Sequence, residues 1–192
     1  MCKWEEANMW EAKWHGNCVN SYHEESKQIE YAKRMGLKVE SVDGRYPVID
    51  FHGQSVVDIG GGPYSLLLKG INVKGMVVDP CEYPQWVYDR YMAAGITVVK
   101  KKAEDCKKGG FDVGLIYNVL QHVENPEIVI ENMKSMCTVI YIHEWLNTPV
   151  SDGHIHTIRE TDLNKWFGGH GVVGEERWSD TVVTPYYTGV FI

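Results

Sequence analysis

The densest chemical signal in this chain is a run of glycines flanked by two carboxylates. Asp58 stands two residues before Gly60-Gly61-Gly62, and Asp79 follows about 20 residues after the first glycine. Glycines placed this way let backbone approach a ligand with no Cβ in between. A helix starting just beyond them offers unpaired N–H groups. An acid at the end of the next strand can accept hydrogen bonds from both hydroxyls of a ribose. Together these features point to a nucleoside-containing cofactor without saying which. Gly60, Gly62 and Ser65 also fit a G-x-G-x-x-small dinucleotide pattern. Asp58 argues against that pattern, because a carboxylate beside a pyrophosphate would repel it. A cationic ligand suits Asp58 better.

Acid–base chemistry would fall to histidine. His122 follows a predicted strand, at the rim where open α/β sheets bind ligands, and is the first candidate for a general base. A backbone-bonding structural role is its alternative. His143 is the second candidate, next to Glu144, and His154 and His156 follow. The His-x-His pair near Glu144 or Asp152 has ligand-like spacing, but without a rigid scaffold we assign no metal. Trp145, Trp166, Tyr186 and Tyr187 either shape an apolar pocket or pack in the core, and the core is favoured. Trp86 is expected to flank a base, and Tyr88 and Tyr91 to share a buried helix face.

Positioning these residues requires a sheet. β-branched runs at 55–59, 75–79, 96–99, 111–116 and 137–142 alternate with amphipathic segments, which predicts a mostly parallel α/β sheet. Segments 171–178 and 181–191 are separated only by Ser179-Asp180, so they should form an antiparallel hairpin. Ser65-Leu66-Leu67-Leu68-Lys69 reads as the start of a helix after the glycines. Residues 1–45 read as a helical, aromatic-rich cap or lid, and 46–192 as the main domain. Within the cap, Ala7, Trp10 and Trp14 share one helical face, and a second helix runs from Tyr22 to Met35, ending at Gly36.

Bulk properties narrow the function. The chain has 192 residues, 44% hydrophobic and 23% charged, enough for one ordinary domain. Its net charge of −7 argues against a non-specific nucleic-acid binder. Lys100-Lys101-Lys102 with Lys107-Lys108 is a solvated rim or, less favoured, an RNA contact. No apolar run is long enough to span a membrane, and no signal peptide is evident, so a cytoplasmic protein is expected. Five scattered cysteines, including Cys18, predict reduced and mostly buried thiols.

Asp58-Ile59-Gly60-Gly61-Gly62 resembles motif I of the class I, Rossmann-like S-adenosylmethionine-dependent methyltransferases. Val77-Val78-Asp79 resembles their motif II, and the stretch from Phe111 to Pro126 their motif IV, most like the subgroup acting on small molecules, lipids and sugars. The resemblance covers residues 48–192. It implies a seven-stranded mostly parallel sheet with an antiparallel C-terminal hairpin and helices on both faces, and S-adenosylmethionine as methyl donor. It implies that Asp58, Gly60, Gly61 and Gly62 line the methionine end, Asp79 binds the ribose, and Pro80 or Cys81 flanks the adenine. Ala103 and Glu104 would meet the adenine edge, and Asn118 would sit beside the methionine moiety. Two departures stand out: Tyr64 replaces the family's third glycine, and Lys102 stands where an aspartate is common. The expected activity is methyl transfer to oxygen or nitrogen of a small acceptor. The alternatives are an RNA methyltransferase, a non-catalytic binder of S-adenosylmethionine or its product, and a nicotinamide-dependent reductase.

Overall fold

The structure is a computed structural model that describes residues 2–16 and 21–192. Cys18 lies outside the described residues. Helices α1 (Lys3–His15) and α2 (Ser21–Arg34) open the chain. The sheet is built from β3 (Ser55–Ile59), β5 (Lys74–Val78), β6 (Thr97–Val99), β7 (Phe111–Tyr117), β8 (Cys137–Trp145), β9 (Val172–Arg177) and β10 (Val183–Phe191). Its order is β6-β5-β3-β7-β8-β10-β9. The first five strands are parallel, and β10 runs antiparallel to both neighbours. The predicted sheet and its closing hairpin are thus present.

Alternation along the strands explains the two-sided core. Val56, Val77 and Leu115 face one side, where they meet Tyr31 and Met35 of α2 and Val87 and Tyr91 of α3 (Gln85–Ala93). Val57, Val78 and Ile116 face the other, against Ile130 and Met133 of α4 (Pro126–Met136) and Leu163 of α5 (Glu160–Phe167). Strands buried on both faces read as near-continuous apolar runs, as 55–59 and 111–117 do apart from Ser55, Asp58 and Asp112. Each fully buried aliphatic side chain contributes roughly 1.5–3 kcal/mol. Asn125 caps α4 by accepting from the Ile128 N–H at 3.2 Å, with Pro126 at the first helical position.

Two expectations change. The helical reading of residues 1–45 ends at Arg34, because Val39–Val42 is a strand, β1, paired antiparallel with β2 (Tyr46–Asp50). The turn between them contains Asp43 and Gly44, both at positive φ, the Asp-Gly hairpin turn. A short β4 (Gly70–Ile71) adds to β2 and completes a three-stranded satellite sheet. The helix expected from Ser65 is instead two 3₁₀ turns, Gly62–Tyr64 and Leu66–Lys69. Ser65 is not helical and caps the second turn through the Leu67 N–H, and the chain must reach β4 immediately afterwards. Tyr31 and Met35 of α2 share the core with Leu66 and Leu67, so α2 covers this crossover.

Among the described residues, no helix is long and apolar enough to cross a membrane. Cys2, Cys81, Cys106 and Cys137 are free thiols, of which only Cys81 is buried.

Candidate active site

The carboxyl ends of β3, β5, β7 and β8 open into one cavity of about 470 Å³. This is where strand order reverses between β5 and β7 on either side of β3, the usual ligand crevice of an open α/β sheet. Gly60, Gly61, Gly62, Asp79, Pro80, Ala103, Glu104, Asn118 and His122 all line it. Nine of the eleven predicted site residues therefore meet at one place; Asp58 and His143 do not reach it.

Sterics and backbone conformation require glycine in this loop. Gly60 has φ +67°, and a Cβ there would lie 2.6 Å from a Val119 methyl. A Cβ on Gly61 would lie 2.8 Å from the Asp58 carboxylate. Asp79 is buried on the cavity wall. Its carboxylate accepts from the Gly62 N–H at 3.0 Å, the Cys81 N–H at 2.9 Å and the Tyr83 hydroxyl at 3.0 Å. Burial pushes its pKa up, against these donors, which lower it. The loop and the acid are thus tied together.

Asp58 lies beneath the loop rather than along the cavity. It is fully buried and accepts from the Ser65 and Tyr117 hydroxyls, each at 2.5 Å. Burial pushes it up to about 7. A carboxyl in that range is about half ionised at neutral pH, and its bonds from Ser65 and Tyr117 brace the glycine loop from below. Tyr64 does not close the cavity: it is buried in the core, with the Arg90 guanidinium 4.8 Å from its ring. Trp86 is half exposed, under the same guanidinium, and does not line the cavity. Of the helix tyrosines, Tyr91 is buried, donating to the Gly62 carbonyl at 2.6 Å. Tyr88 is only half-buried.

In the turn after β6, the Glu104 carboxylate accepts from the Asn125 N–H at 2.9 Å. The lysine run is partly neutralised, with Lys100 paired to Glu82 and Lys102 to Glu124.

His143 is not placed to act as a base. Its ring is fully buried between Tyr31 and Tyr186, at centroid distances of 4.2 and 5.2 Å. Neither ring nitrogen has a hydrogen-bond partner among the described residues. Burial, with Arg34 nearby, pulls its pKa down to about 3. Replacing a buried polar group that has no partner by an apolar one of similar shape removes a desolvation cost of about 1–3 kcal/mol. His143→Phe should therefore raise the melting temperature by roughly 2–4 °C for each kcal/mol gained, with activity retained. A lower melting temperature together with lost activity would show that the imidazole is used.

Glu144 is also fully buried, and its Oε1 accepts from the Val119 and Leu120 N–H groups at 2.6 and 2.8 Å. It thereby fixes the turn that carries Asn118 and His122. Burial pushes it up to about 7, against those two donors. Between its unfolded value of about 4.3 and that point, the folded state holds a proton the unfolded chain has lost. Stability therefore falls as pH rises through this window, by up to about 1.4 kcal/mol per pH unit for this group. Glu144→Gln keeps an acceptor and cannot titrate. Urea unfolding at about pH 5 and about pH 7.5 should show a smaller loss in the variant than in the wild type. Equal losses would mean that Glu144 is ionised throughout.

Sequence reasoning missed most of the supports. Tyr83, Tyr91, Tyr117 and Ser65 hold the two acids and the loop. Glu11 and Trp10 reach the cavity from α1, and Tyr31 from α2. Trp145 lines the cavity while Tyr187 packs in the core and Trp166 lies against it. His154 lines the cavity too, 4.7 Å from the His122 ring. The His156 Nε2 instead lies 3.0 Å from the Val123 carbonyl.

No model of a known protein family matches the chain, and no curated protein does. Solved structures do. Magnesium protoporphyrin IX methyltransferase from Synechocystis, with bound S-adenosylmethionine, superposes with TM-score 0.54 at 18% identity, over 88% of this chain and 80% of that one. A Burkholderia thailandensis 1,6-didemethyltoxoflavin N1-methyltransferase, with bound S-adenosylhomocysteine, gives 0.52 at 14% identity, over 70% and 69%. An O-methyltransferase family protein from the same organism gives 0.53 at 15%, over 84% of this chain and 55% of that one. At these identities the likeness shows the fold, and the sheet order is that of the class I methyltransferases.

Proposed function

We propose that this protein transfers a methyl group from S-adenosylmethionine to an oxygen or nitrogen of a small-molecule acceptor. The observation that carries the reading is one cavity in which the glycine loop and Asp79 share a wall with Asn118 and His122. The residues fit the cofactor. Asp79 would hold the ribose hydroxyls, Gly60 and Gly61 the methionine end, and Pro80, Ala103 and Glu104 the adenine. Asn118 is held beside them by its N–H to the His143 carbonyl and its Oδ1 to Gln121. S-adenosylmethionine supplies a methyl group already activated on a sulfonium. The protein then has to align the acceptor, exclude water and take a proton. His122 is the group on the wall suited to the proton.

In this reading α1 and α2 form a cap over the domain that follows. Three contacts of α1 span the cavity: Trp4 against the Lys102 ammonium at 3.7 Å, Asn8 accepting from the Cys81 thiol at 3.2 Å, and Glu11 at His122. The acidic balance and the paired lysines favour a small acceptor over RNA. Incubation with methyl-labelled S-adenosylmethionine and a panel of small hydroxyl and amine acceptors, with bulk RNA alongside, tests the reading. Label should pass to a small molecule. Label on RNA alone would favour the RNA enzyme, and cofactor binding without transfer to either would favour a non-catalytic binder.

A further inference from the structure

We infer that Glu11, carried on α1, is the positioning residue for His122, so that seating the helix over the cavity and preparing the base are one event. The inference rests on the methyltransferase reading above for the use made of the base, but the pairing itself stands on geometry. The His122 Nδ1 lies 2.9 Å from the Gly153 carbonyl oxygen and 3.1 Å from the Glu11 Oε1. A carbonyl and a carboxylate can only accept, so Nδ1 carries the hydrogen and the lone pair of the neutral ring is on Nε2. An orienting carboxylate on one ring nitrogen with a free lone pair on the other is the arrangement that makes histidine a directed base.

The fit of α1 at this point is close. A Cβ on Gly153 would lie 2.7 Å from the Trp10 ring and 2.9 Å from the Glu11 carboxylate. Gly153 therefore both supplies the second acceptor and leaves room for the helix. From the other side, Glu144 fixes the turn on which His122 stands.

The charges around the ring come from three elements. Glu11 faces it from α1, with His15 behind, its Nε2 3.7 Å from the Glu11 Oε2; His154 faces it from the loop after β8, and Glu144 from β8 itself. Burial acts to lower the His122 pKa, but the hydrogen bond and charge of Glu11, together with Glu144 and the Gly153 carbonyl, outweigh it and the net shift is upward. Burial likewise acts to raise Glu11, and His122, His15 and His154 more than offset it, so Glu11 is held below the usual range. When the acceptor gives up its proton, the proton goes to Nε2 and the ring becomes an imidazolium. The Glu11 carboxylate balances that charge inside a cavity partly closed to water.

The test is an NMR-monitored pH titration of the His122 imidazole in the full chain, assigned with His122→Asn. It is run on the wild type, Glu11→Gln and Gly153→Ala, with S-adenosylhomocysteine affinity measured on the same samples. The wild-type ring nitrogen shifts should report the Nδ1–H tautomer, and the titration midpoint should move to lower pH in Glu11→Gln. Gly153→Ala, which displaces Glu11 without removing it, should move the midpoint the same way. Once an acceptor is in hand, Glu11→Gln should lower kcat roughly 10- to 100-fold, with the KM for the methyl donor unchanged and the acid limb of the rate profile at lower pH. An Nε2–H tautomer, or a midpoint that stays put in folded Glu11→Gln and Gly153→Ala, would overturn the inference. Loss of S-adenosylhomocysteine binding in every sample, wild type included, would instead sink the methyltransferase reading, while the titration still decides the pair.

Discussion

Asp79→Ala should weaken S-adenosylhomocysteine binding roughly 100-fold or more, as read by calorimetric titration. With the Tyr83 hydroxyl turned away, this carboxylate can accept from both hydroxyls of a ribose, and a bond to a charged group is worth about 1.5–3 kcal/mol. Losing two costs about 3 kcal/mol, which is more than 100-fold in affinity. The variant also frees the Gly62 N–H, the Cys81 N–H and the Tyr83 hydroxyl, so the loop itself loosens. Asp79→Asn keeps an acceptor and should fall between the two. Wild-type affinity in Asp79→Ala would mean that the ribose lies elsewhere.

His122→Asn should lower kcat by about 10²–10⁴, the usual worth of a general base, with S-adenosylhomocysteine affinity unchanged. The ring lines the cavity and sits in a turn whose backbone is held by Glu144 rather than by the imidazole. Removing it therefore takes away the proton acceptor more than the fold. A base works only when deprotonated. The Glu11 carboxylate raises the His122 pKa against burial, so wild-type activity should climb as pH rises through that value. In His122→Asn this limb should vanish. Unchanged kcat with weakened binding would give His122 a structural role only.

The parts of the fold legible in the sequence are those set by local pattern. Apolar runs of the right length located all seven strands of the main sheet, and the two residues between Trp178 and Thr181 left no room for a crossover helix there. Gly60 and Asp79 could be placed because residues just past the carboxyl ends of neighbouring parallel strands stand at the rim where an open sheet binds ligands. The satellite hairpin is not read from the sequence, because the helical pattern before it masks the Asp43-Gly44 turn between Val42 and Tyr46. The helix after the glycines was misread because Leu66-Leu67-Leu68 has helical propensity, while tertiary demands kept Ser65 extended and sent the chain into β4.

The site divides along the same line. Asp58 and Asp79 look alike in sequence, each at the end of an apolar strand. Only the fold shows that one carboxylate turns under the loop to Ser65 and Tyr117 while the other faces the cavity. His122 and His143 are likewise indistinguishable by type. The pleat sends His143 in among Tyr31, Trp145 and Tyr186, and the turn after β7 turns His122 toward α1. Glu11 stands 111 positions before His122, and no local pattern links residues so far apart.

The methyltransferase reading requires that this cavity take S-adenosylmethionine or its product and not a dinucleotide. Calorimetric titration of the wild-type chain with S-adenosylhomocysteine, and separately with NAD, addresses it directly. Saturable one-to-one binding of S-adenosylhomocysteine and no heat from NAD is the predicted result. Binding of NAD with none of the sulfur nucleoside would contradict it, and would make the loop from Gly60 to Gly62 a dinucleotide site.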